Sequence, residues 1–156
     1  MLFRSKGDIM AGNAFMRRFA PSVWLWGNHE HRLDTLISSA GSAMVRDYCH
    51  DVKTEICANA RAAGCKTILP WHAEKGVYRL GPVAFIHGFA HGENATVKQG
   101  LHYARHGGAL IHGHTHNLAS IALTQHGSGN AFAAGDRKST RLNSSHEWIS
   151  RMPSSA

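Results

Sequence analysis

The chain has 156 residues, 43% of them apolar, which is enough for one domain with a sizeable core and excludes wholesale disorder. Its net charge of +7 suits an anionic ligand, but no long run of Lys and Arg marks a nucleic-acid tail. No apolar run approaches the ~20 residues of a membrane span, and the opening MLFRSKG is too short and polar for a secretory leader. Cys49, Cys57 and Cys65, odd in number and without a CxxC pair, read as free structural thiols of a reducing, cytoplasmic compartment.

In chain order, Asp8 to Phe19 reads as a helix with Asp8 as its cap, stopped by Ala20-Pro21-Ser22. Val23 to Trp26 is the first strand. His29 to Ser38 and Met44 to Ala63 carry helical apolar periods, the second through Val45, Tyr48, Val52, Ile56 and Ala60 up to Gly64. Thr67 to Leu69 is a short strand before Pro70, and Val77 to Leu80 with Val83 to Ile86 flank Gly81-Pro82 as a hairpin. Asn94 to Arg105 is a helix capped by Asn94. Ala109 to Ile111, Leu118 to Leu123 and Ala131 to Ala133 complete the strands, the last two separated by a turn at Gly127 to Gly129. Strands and helices alternate before late hairpins, so the expected class is α/β with mixed sheets.

From Asp136 the chain is polar, rich in serine and without hydrophobic period. DRKSTRLNSSH, at 136–146, corresponds to a translated high-throughput sequencing adapter, and SRMPSSA, at 150–156, to the same adapter continued past its index. The expectation is a domain over 1–135 and a non-native, disordered tail over 136–156. Without the tail, thirteen basic residues face eight acidic ones, a net +5, and twelve histidines stand in 135 residues. The histidines are the anomaly that leads to function.

Three strand ends share one pattern. Val23-Trp-Leu-Trp26 runs into Gly27-Asn28-His29-Glu30, Val83-Ala-Phe-Ile86 into His87-Gly88, and Ala109-Leu-Ile111 into His112-Gly113-His114-Thr115-His116. Taken alone, Gly27-Asn28 reads first as a turn pair and second as the start of an active-site loop. Together, three such ends can converge on one site, because ligands of α/β sheets collect beyond the carboxyl ends of strands. His114 and His116 are two residues apart, so on an extended segment both rings share a face. Neutral imidazoles without thiolates suit Zn, Fe, Mn or Co.

These motifs resemble the calcineurin-like metallophosphoesterases: Gly27-Asn28-His29-Glu30, His87-Gly88 and Gly113-His114-Thr115-His116 stand in that family's order, over Ala11 to Gly135. The resemblance implies a metal-dependent phosphoesterase that cleaves a phosphomonoester or phosphodiester with metal-activated water. It implies that Asn28, His87 and His114 ligate the second of two divalent transition metals and His116 the first. His29 would be the general acid or transition-state stabiliser beside the leaving group. Glu30 would orient His29 or a ligand from behind, and His91 and His112 adjoin the motifs as further supporting candidates.

The family's opening Asp-x-His and its bridging Gly-Asp-x-x-Asp are absent; Gly7-Asp8 lies twenty residues before Gly27 and lacks the second acid. The implied architecture is therefore a partial αββα sandwich without its N-terminal strands, holding one ion rather than two and having little activity. Two other readings stand beside it: a catalytically inactive metal-binding remnant, and a nucleic-acid-binding module suggested by the mild positive charge and the Trp24/Trp26 pair. That pair reads first as sheet packing. His31, His50, His72, His102, His106 and His126 read as surface or packing residues, and Arg32 as a solvated charge. Substrate identity and oligomeric state are left open.

Overall fold

A computed structural model describes residues 6–104, 107–124 and 129–135. The predicted tail over 136–156, the Gly127-Ser128 turn, His106, His126 and Arg105 fall outside the described residues. The chain divides between Val77 and Tyr78 into two compact units. None of its described helices is long and apolar enough to cross a membrane.

The first unit runs α1 (Lys6–Phe19), β1 (Val23–Leu25), α2 (Asn28–Ser39), α3 (Ala43–Ala62) and β2 (Thr67–Leu69). β1 and β2 pair in parallel, Val23 beside Thr67 and Leu25 beside Leu69, so α2 and α3 form the crossover that a parallel pair requires. Cys49, Val52, Ile56 and Ala60 recur at three- and four-residue steps and are buried, which is the apolar stripe of an amphipathic helix. They pack with Ile9 of α1 and Leu33 of α2, and Trp24, Leu36 and Ile37 close the cluster. α3 ends in a Schellman turn, Cys65 N–H donating to Ala60 O and Gly64 N–H to Arg61 O. Asp8 lies inside the first turn of α1 rather than capping it; there its carboxylate complements the helix dipole. All three cysteines are unpaired, Cys49 and Cys65 buried and Cys57 half-buried.

The second unit runs β3 (Tyr78–Leu80), β4 (Val83–Ile86), α4 (Ala95–Tyr103), β5 (Ala109–His112), β6 (Ala119–Leu123) and β7 (Gly129–Ala133). They form one mixed sheet in the order β3-β4-β5-β7-β6, with β4, β5 and β7 mutually parallel. Alternate residues of these strands are buried, among them Ala84, Ile86, Leu110, His112, Ala131 and Ala133. α4 packs on β5, β6 and β7. Gly100 allows that approach, since a Cβ there would lie 2.8 Å from the Ala131 Cβ and 2.9 Å from both Leu123 methyls.

The class is thus α/β: four helices, a five-stranded mixed sheet and a small parallel pair among the described residues. The register fixes the geometry that matters for function. Ile86, His112 and Ala133 lie side by side in adjacent parallel strands, so the segments after β4 and β5 leave the sheet at the same edge.

Candidate functional site

His87 is the first residue beyond β4, and His112 is the last residue of β5. The shared edge brings their loops into contact. His87 and His114 rings stand with centroids 5.3 Å apart at 65°. His91 joins them, its centroid 4.5 Å from that of His114. The Nε2 of His114 is 3.2 Å from His91 Nδ1 and 3.3 Å from His91 Nε2. His87 and His114 are therefore neighbours, as the motifs require. His91 is the addition: it was legible only as a histidine near the motifs, because its reach depends on the path of the loop.

The backbone here is unusual. Gly88 has φ +109°, and a Cβ on it would lie 3.0 Å from both Gln99 Oε1 and the His114 Cβ, so only glycine fits between the loops. His114 and His116 have φ of 68° and 57°, the left-handed region that side-chain-bearing residues seldom enter. This overturns the extended segment expected for 114–116: the turn, with Thr115 N–H donating to Gly113 O, replaces period-two geometry. His116 is exposed, while the Thr115 hydroxyl is buried without a partner among the described residues. Such strain clusters at functional sites because the surroundings must hold it in place.

Burial, followed by the neighbouring imidazoles of His87, His91, His116 and His112, holds the pKa of His114 below its ordinary value. Burial does the same for His112, against a smaller upward push from the Gly113 carbonyl. Both rings are therefore neutral near pH 7, the state in which imidazole binds metal. His112 is 1% exposed and lies beneath the loops, on the core side of β5.

Asn28, His29 and Glu30 belong to the first unit. They form the first turn of α2 directly after β1, so this segment is a strand-to-helix junction rather than a free loop. Glu30 Oε2 accepts the Gly27 backbone N–H at 2.9 Å, which caps the helix start. His29 is exposed and Asn28 half-buried. Trp24 and Trp26 meet edge to face at 6.0 Å; Trp26 is buried and Trp24 packs on the core, as the packing reading expects. His31 lies 5.2 Å from the Trp71 ring, also a packing role.

Among the described residues, no group of three or more His, Cys, Asp or Glu side chains is arranged to hold a metal ion. By donor chemistry, His87, His91 and His114 fit a borderline divalent ion such as Zn, Fe, Mn or Co. By number, the His91–His114 pair in direct contact falls short of a closed four-donor set. Searches of protein families, curated proteins and solved structures find no match for this chain.

Proposed function

We propose that this chain carries the metal-binding half of a calcineurin-like metallophosphoesterase centre, within a partial αββα sandwich, acting on a phosphomonoester or phosphodiester in a reducing, cytoplasmic setting. The observation that supports it most is the contact of the His87-Gly88 and Gly113–His116 motifs, which lie 25 residues apart in sequence and emerge from neighbouring parallel strands. In this reading His87 and His114 bind one divalent ion, and His116 faces the position of a second. A bound divalent ion polarises phosphoryl oxygens and acidifies water at neutral pH. General-acid help to a leaving group, the role that the resemblance gives His29, is typically worth ~10²–10⁴ in rate. Glu30 holds the helix start that carries His29, and His112 supports His114 from below.

A second reading has its own observation. The motif segments supply imidazoles and one amide but no bridging Asp, so the site can be an inactive metal-binding remnant. Titration with Co²⁺, paired with hydrolysis of p-nitrophenyl and bis-p-nitrophenyl phosphate, separates the two. The proposal expects about one ion bound, weakened by roughly tenfold or more in His87→Ala and in His114→Ala. It also expects slow but metal-dependent turnover that His29→Ala abolishes. Metal binding without any turnover supports the remnant, and Co²⁺ affinity untouched by either substitution refutes both.

A further inference from the structure

Beneath the two histidine loops of the second unit runs a line of buried polar side chains. Gln99, on α4, is 4% exposed. Its Oε1 accepts the Phe89 backbone N–H at 2.6 Å and that of Ala90 at 3.4 Å, both in the loop that carries His87 and His91. Those two donors fix which end of the amide is oxygen. Its Nε2 then meets Nδ1 of His112 at 3.1 Å. His112 Nδ1 lies 2.7 Å from the Gly113 carbonyl, at the root of the loop that carries His114, and its Nε2 lies 3.1 Å from the Thr96 hydroxyl. The Gln99 amide nitrogen can only donate, so Nδ1 of His112 accepts from it and carries no proton, and the ring proton sits on Nε2, which donates to the Thr96 hydroxyl.

An amide and an imidazole on the core side of a sheet otherwise lined by Ile86 and Leu110 each cost free energy unless their hydrogen bonds are made. Here those bonds run from one loop to the other. Gly88 tightens the link, because its missing side chain lets Gln99 Oε1 and the His114 Cβ approach the same point. The Phe89 and Ala90 amides lie outside every strand, so sheet pairing does not restrain them.

We propose that Gln99, acting through His112, is a positioning residue that ties the His87–His91 loop to the His114 loop and so sets their affinity for a divalent ion. The role in metal binding rests on the proposed metallophosphoesterase reading; the link between the loops does not. Loss of an outer partner of a ligating histidine typically weakens metal binding ~10–100-fold.

The test combines amide hydrogen exchange, read by NMR on the metal-free full chain, with Co²⁺ titration followed by visible absorption. In the native protein the Phe89 amide exchanges at least roughly tenfold more slowly than an unprotected loop amide. Gln99→Leu removes that protection, weakens Co²⁺ binding about tenfold and alters the d–d spectrum. Gln99→Glu keeps an acceptor for Phe89 and Ala90 and restores the protection. A native Phe89 amide that exchanges as fast as an unprotected one overturns the proposal, and so does a folded Gln99→Leu with unchanged protection and Co²⁺ affinity. Should Gln99→Leu not fold, the native Phe89 rate and Gln99→Glu decide. Co²⁺ affinity unchanged in His114→Ala refutes the metal reading alone, while the Phe89 exchange still judges the link.

Discussion

His112 and His114 are both held below the ordinary imidazole value of 6.5, burial being the larger cause for each. The folded chain therefore binds fewer protons than the unfolded one as the pH falls past that value, and stability falls with it. Above it both states hold neutral rings, and these groups contribute no pH dependence. Urea unfolding should give a midpoint that is flat from about pH 8 to 7 and declines between roughly 6.5 and 5. His112→Leu should make the decline shallower without removing it, since His114 still contributes; an unchanged slope would assign the loss to other groups. At this scale the sequence showed the identity of the histidines but not their backbone. Nothing in Gly113-His114-Thr115-His116 distinguishes an extended segment from two left-handed histidines, because the choice is made by the neighbouring loop and by Gly88.

Elements were more legible than residues. Val52, Ile56 and Ala60 at four-residue steps predicted α3, and Thr67 to Leu69 matches β2 as observed. The segment from Asn28 shows the limit. Gly-Asn is a turn signal, yet Glu30 accepts the Gly27 N–H and the helix starts at Asn28, two residues after the buried Trp26. The Glu30 carboxylate, reaching back three residues to the Gly27 N–H, outweighs the local turn preference. Gly100 carried no sequence signal at all, although it sets how closely α4 meets the sheet. Gly100→Ala should cost about 1–3 kcal/mol by overpacking against Ala131 and Leu123, despite the better helix propensity of alanine. Equilibrium unfolding measures it; a stabilised variant would show that the helix can shift outward freely.

Over the whole molecule, chain order of the elements was readable because each has a local apolar period and local breakers. The pairing of the strands was not. The order β3-β4-β5-β7-β6 joins β5 to β7 past β6, a choice made by burial over long separations rather than by any short motif. Nor did composition mark the division between Val77 and Tyr78, where Val77 reads as part of the hairpin strand that begins at Tyr78. The candidate site lay between these extremes. His87 and His114 were expected together and are in contact, while the support from Gln99 and Thr96 was hidden because neither belongs to a recognisable motif. Metal binding by these imidazoles is the step on which the proposed function depends. The most direct measurement is the ¹⁵N chemical shift of every histidine ring during titration of the full chain with Zn²⁺. His87 and His114 should shift first and together, saturating near one equivalent, while the exposed His50 and His72 stay unchanged. Shifts spread evenly over all histidines, or none at His87 and His114, would contradict the proposed function.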